Sequence, residues 1–176
     1  LMHVKNTLTE YGIISKLLHW LSAILLIIQI PLGFYLVDFD FGEERLNVEN
    51  IHIIIGLSIF YLVIIRLLNN IFNPTPKLDP SVFSGQKFIA KLNHVLLYVA
   101  ILSITISGIL KKLFNGETLV IFFKEIEIQD NFELADQFYN IHIFSNYMIV
   151  ALIALHISAV IIHKLFFSEN LLKKIL

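Results

Sequence analysis

The sequence predicts an all-α integral membrane protein: four helices in an up-down bundle, with both termini cytoplasmic. Three observations predict it. The 176 residues are 57% hydrophobic with a mean hydropathy of +0.78, above the roughly 45–50% apolar share of soluble domains. Four stretches, at about 17–37, 51–72, 92–110 and 137–163, are long and apolar, and Arg66 is the one Asp, Glu, Lys or Arg within them. At about 1.5 Å per residue each stretch is long enough for a hydrocarbon core of about 30 Å. Charge also segregates. The N-terminus, second loop and C-terminus, together with Arg66 near the end of the second span, hold nine Lys and Arg against three acids (+6). The first and third loops hold four against eleven (−7). Cationic loops stay on the cytoplasmic side.

In order along the chain, residues 1–16 are a short polar lead with Lys5 and Lys16. The first span, 17–37, is too long for a cleavable secretory signal and lacks a small-residue cleavage site. Residues 38–50, DFDFGEERLNVEN, read as an acidic loop. The second span, 51–72, opens on His52 and carries Arg66 near its end. The N-P-T-P at 73–76 stops it, because proline has no amide hydrogen and restricts the residue before it. A loop with an amphipathic tail leads to Lys91. The third span, 92–110, starts close to His94. Residues 111–136 form the longest connection, rich in Glu and Asp. The fourth span, 137–163, ends in a tail with Lys164, Lys173 and Lys174. No repeat divides the chain, so residues 1–176 read as one membrane domain.

Histidine inside a span is costly and needs a reason. His142 and His156 are fourteen residues apart on the fourth span, which returns them to one face about 21 Å apart along the axis. One helix thus offers two imidazoles at two heights, a geometry for two flat iron cofactors, one above the other. The chain has no cysteine. That excludes disulfides, iron–sulfur ligation by cysteine and covalent C-x-x-C-H haem. The only methionines are Met2 and Met148, so a haem would be b-type and histidine-held.

Depth sorts the imidazoles. His52 and His142 form the one outer pair. His19, His94, His156 and His163 are inner, and depth alone leaves their pairing open. The better burial of His156 and the deeper placement of His19 favour that pair. Gly33 and Gly108 lie fourteen residues after His19 and His94, at the outer level, where a glycine lets backbone approach a flat ring. As small residues they equally suit helix contacts. Arg66, fourteen after His52, falls at the inner level, where it would meet propionates or a quinone headgroup. Trp20 suits an interfacial belt.

Several motifs recur together: Y-x₇-H-W at Tyr11–Trp20, I-H-x₃-G at Ile51–Gly56, R-L at Arg66–Leu67 before the P-T-P at 74–76, N-H at Asn93–His94, N-F-E-x-x-D-x₄-I-H at Asn131–His142, and L-H-x₆-H at Leu155–His163. In order and spacing they resemble the prokaryotic cytochrome b561 family over essentially the whole chain. The compact size resembles its free-standing members, including the superoxide oxidase type. The resemblance implies a bacterial inner-membrane diheme cytochrome that passes electrons between the periplasmic side and ubiquinone. It implies His52 and His142 as axial ligands of an outer haem b, and His19 and His156 of an inner one. It places quinone near His94 and His163. A small periplasmic donor, superoxide in the oxidase type, is the expected partner besides the bilayer, with no nucleic acid. The outer side is acidic overall, which repels an anion at long range; Arg45, Lys111, Lys112 and Lys124 are a local positive entry. Two alternatives compete. One is a membrane anchor and relay for a periplasmic dehydrogenase docked on 111–136. The other is a metal-ion transporter, which the scarcity of carboxylates in the spans disfavours.

Overall fold

The computed structural model describes residues 3–76, 84–166 and 175–176. Of the charges counted above, Lys77, Asp79, Glu169, Lys173 and Lys174 lie outside the described residues. Among the described residues there are four helices: α1 Ile13–Val37, α2 Glu43–Phe72, α3 Ser84–Phe114 and α4 Phe132–Phe166. All four are long and apolar enough to cross a membrane.

Each helix overruns its predicted span, because charge stops a hydrophobic run but not a helix. Residues 43–50, expected in the first loop, are the first turns of α2. Glu43 and Glu44 there oppose the positive end of the helix dipole. Lys111 and Lys112 complement the negative end of α3. The expected loop before Lys91 is helical from Ser84. Asn131 caps α4: its Oδ1 accepts the amide of Leu134 at 3.1 Å, and its own amide donates to Phe114 O at 2.8 Å. At the other end of α2, Asn73 donates from both backbone and side chain to Asn69 O before Pro74.

The helices pack in ring order, α1 on α2, α2 on α3, α3 on α4. Ring contacts between His19 and His156 and between Phe34 and Tyr147 join α1 to α4. Midway along the bundle lies a core of Leu26, Ile59, Val63, Ala100, Ile101, Ile149 and Leu152. Every helix contributes to it. Ser103 and Ser145 hydrogen-bond across α3 and α4 at 2.8 Å. Large apolar residues such as Ile27, Ile54, Val99 and Leu155 face outward, as lipid-facing side chains do.

The lead before α1 is tied down at the end where the chain begins. Asn6 donates to Pro74 O at 3.1 Å and accepts from the Gly12 amide and the Ser15 hydroxyl. Asn69 then donates to Ser15 Oγ. Gly12 has no room for a Cβ, which would stand 2.5 Å from Lys5 C and Val4 O. Trp20 Nε1 of α1 donates to Ile175 O at 3.0 Å, so Ile175 also lies on this side. Here it is called the basic end, and the opposite one the acidic end.

Among the described residues, the acidic end holds the one departure from helices and their connections. Within the 111–136 connection, Leu119–Ile121 and Lys124–Ile126 form a two-stranded antiparallel ladder, with Leu119 opposite Ile126 and Ile121 opposite Lys124. Its turn is Phe122 and Phe123, both at positive φ (50° and 62°). Leu113, Leu119 and Ile121 form a second core with Ile53, Leu57, Ile109, Ile126 and Ile128. The hairpin therefore lies against α2 and α3 instead of standing off as a loop.

Candidate functional site

Each helix places one residue at each of two levels. At the acidic end these are His52 on α2, His142 on α4, Gly33 on α1 and Gly108 on α3. The imidazole centroids of His52 and His142 are 6.1 Å apart, at 68° between planes. The glycines lie against them: a Cβ on Gly33 would be 3.3 Å from His52 Cε1, and one on Gly108 would be 3.1 Å from both Cε1 and Nδ1 of His142. Both glycines thus sit beside imidazoles of the outer pair, at the level their spacing predicts.

His142 Nδ1 lies 2.8 Å from Ile104 O. A carbonyl only accepts, so Nδ1 carries the proton and Nε2 is left bare, the usual state of a ligating histidine held from behind. Gln29 of α1 donates to His52 O at 2.9 Å. It fits there because position 56 is glycine; a Cβ would be 3.2 Å from Gln29 Nε2. His52 Nδ1 and Gln29 Oε1 are buried with no hydrogen-bond partner. Gln29 was legible as the one amide within the first span, and the sequence reading passed it over.

At the basic end the four residues are His19 on α1, Arg66 on α2, His94 on α3 and His156 on α4. His156 faces both other imidazoles, at 6.4 Å from His19 and 5.2 Å from His94 between centroids. Arg66 Nη2 is 3.3 Å from His19 Nδ1. Its guanidinium lies 5.5 Å from the Tyr98 ring centroid, and Asn70 donates to Tyr98 Oη at 2.7 Å. Tyr11, just before α1, is raised above the ordinary phenol range, by burial first and by Tyr98 second. Arg66 thus meets an imidazole at the inner level. His163 lies about two turns beyond His156 on α4. Tyr98 and Asn70 were not singled out from the sequence.

A simple length tests these pairs against a metal held between two imidazoles. With metal–nitrogen distances of roughly 2 Å, the ring centroids stand about 6.3 Å apart. His52–His142 and His19–His156 match. His94–His156 is too close. The acidic-end pair fits without change. At the basic end a guanidinium can only donate, so His19 Nδ1 accepts and its proton sits on Nε2. Ligation through Nε2 therefore requires Arg66 to release Nδ1. Among the described residues, no three His, Asp or Glu converge to hold a bare ion.

The local positive entry is weaker than the sequence suggests. Lys112 pairs with Glu49 at 3.0 Å and with Glu117. Arg45 donates to the carbonyls of Leu36 and Phe39.

The family model for prokaryotic cytochrome b561 matches residues 10–176. The chain is 30% identical to cytochrome b561 homolog 2 of Escherichia coli (strain K12) over 122 residues, which are 69% of this chain and 65% of that one. It thus spans just under two thirds of that relative. It is 27% identical to the probable superoxide oxidase CybB of Yersinia pestis over 177 residues, 99% of this chain and 97% of the relative.

Proposed function

The chain belongs to the prokaryotic cytochrome b561 family, and from that premise we propose that it moves electrons across the bacterial inner membrane between a donor at the acidic end and ubiquinone at the basic end. As a member of the family it is a multi-pass bacterial membrane protein and a b-type cytochrome of electron transfer. The further reading assigns two haems to one chain. His52 and His142 hold the one at the acidic end; His19 and His156 hold the one at the basic end. The observation that carries it is the pair of imidazole separations, 6.1 and 6.4 Å, at two levels of one bundle. Bound there, b haems supply one-electron carriers in line across the membrane.

The rest is work for the chain's own residues. Gly33 and Gly108 keep the acidic-end level open to a flat ring. Ile104 O holds the His142 tautomer. Reduction of a quinone to quinol takes up two electrons and two protons, so the basic end needs proton donors and a site for an oxygen-bearing ring. His94, His163 and Arg66 serve there: the imidazoles hold and give up protons, and the guanidinium donates hydrogen bonds to quinone oxygen or carboxylate. Residues 1–176 work as one unit, with both termini cytoplasmic.

Superoxide is the proposed donor, supported by the name of the Yersinia relative, with oxygen as its product. Stopped-flow mixing of superoxide with the oxidised protein tests it. Haem reduction is expected, and its absence rejects this donor. A pyridine haemochrome assay tests the wider reading. About two b haems per chain are expected; one or none overturns it.

A further inference from the structure

The β-hairpin places two phenylalanines where a hairpin in water would carry other residues. A two-residue turn with positive φ at both positions favours Asn-Gly or Asp-Gly, because a side chain crowds the left-handed backbone. Here both positions are phenylalanine. Phe122 stacks edge-on against Tyr61, and its amide donates to Tyr61 Oη at 3.1 Å. Phe123 makes no such contact and is fully exposed. A strained turn that points a bare phenyl ring into water has nothing to offset it.

The depth of the turn gives the explanation. Tyr61 lies twelve residues beyond Glu49 on α2, about 18 Å along the axis. Side chains lean back toward the start of their helix, which still leaves the turn roughly 10 Å below the level of Glu49. The inner face of the hairpin agrees, since it packs on Ile53 and Leu57 of the same helix. Both belong to a helix apolar enough to span the membrane.

We propose that the Phe122–Phe123 turn is a re-entrant element embedded among the lipid acyl chains of the acidic-end leaflet. Val120, half exposed on the outward face of the first strand, enters with it. Lys124, beside the turn on the second strand, reaches back to the headgroup layer, as long cationic side chains do, and Glu125 lies one residue farther from the turn. The Phe122 amide, which lipid could not satisfy, is satisfied by Tyr61. The hairpin then closes the α2–α3 groove beside His52 as a lipid-backed wall. None of this depends on what the imidazoles hold.

The absence of cysteine makes the test direct. Phe123→Cys introduces a single thiol for a nitroxide label in the full-length protein, reconstituted in phosphatidylcholine vesicles. Power saturation then compares collisions with oxygen, which concentrates in lipid, and with a nickel chelate, which stays in water. Ile27→Cys, at mid-span on α1, is the lipid reference; Gln129→Cys, exposed in the connection before α4, is the aqueous one. The label at 123 is expected to fall with Ile27, with an oxygen-to-nickel ratio several-fold above that at Gln129. A ratio matching Gln129 overturns the proposal. If Phe123→Cys yields no folded protein, Val120→Cys is read against the same references and decides in the same way.

Discussion

Substituting Gly108 by alanine separates the fold from the site it shapes. In an exposed helix interior the change would stabilise by up to about 1 kcal/mol, because alanine loses less backbone freedom. Here the added Cβ lies 3.1 Å from two atoms of the His142 ring, so the ring must withdraw by a few tenths of an ångström. It is not at liberty to rotate, since Nδ1 is held at 2.8 Å by Ile104 O. If the bond breaks, a buried donor is left unpaired at a cost of about 1–3 kcal/mol. Set against a helical gain of up to about 1 kcal/mol, that leaves a net loss of roughly 0–2 kcal/mol, which the fold should survive. Ligation should suffer: loss of a partner behind a ligating histidine typically weakens binding about 10–100-fold.

The assay is haemin titration of apoprotein followed in the Soret band, with His142→Ala as the reference for loss at the acidic end. Gly108→Ala should weaken that site by about one to two orders of magnitude and leave the other unchanged. Gly33→Ala should do less, because its Cβ contact is longer, at 3.3 Å, and His52 Nδ1 has no hydrogen bond to lose. Wild-type affinity in Gly108→Ala, or a greater loss in Gly33→Ala, refutes the reasoning.

Three further outcomes are expected. His19→Ala should abolish haem at the basic end while His94→Ala keeps it, as read by pyridine haemochrome; the reverse result would move the ligand to His94. Ser103→Ala, Ser145→Ala and the double variant, unfolded in mixed detergent micelles, should show a coupling of about 0.6 kcal/mol, the average for hydrogen bonds between membrane helices; zero coupling means the hydroxyls bond back to their own helices. Gly12→Ala should expose the N-terminal lead to limited proteolysis at a cost of about 1–3 kcal/mol, because its Cβ meets backbone of Val4 and Lys5; unchanged cleavage says the lead is not packed as described.

Much of this bundle was legible because hydrophobic length and a fourteen-residue period both survive translation into structure. The period set Gly33 at the level of His52 and Gly108 at the level of His142, and it set Arg66 at the level of His19. Helix ends were less legible. The predicted spans stop where charge begins, whereas Glu43, Glu44, Lys111 and Lys112 prolong helices by matching their dipoles. The hairpin was invisible for a different reason. Its turn is Phe-Phe, and turn reading depends on Gly, Asn and Asp marking positive φ. Only the lipid-like surroundings of Tyr61, Ile53 and Leu57 make such a turn tolerable, and those are tertiary.

Pairing at the basic end shows where spacing along a helix runs out. Depth along the axis follows from counting residues, and it brings His19, His94 and His156 to one level. Which two face across a metal-sized gap depends on how the helices are rotated, and no count of residues gives that. The distances do. His156 stands 6.4 Å from His19 and 5.2 Å from His94, and an iron between two imidazoles needs about 6.3 Å, from metal–nitrogen distances of roughly 2 Å. His94 is left beside the proposed pair, too close to share a metal with His156. If His19 were to hold a haem iron through Nε2, as proposed, Arg66 would have to release Nδ1; its guanidinium already lies over the Tyr98 ring. The acidic end asks for no such exchange, because His142 is already held with Nε2 bare.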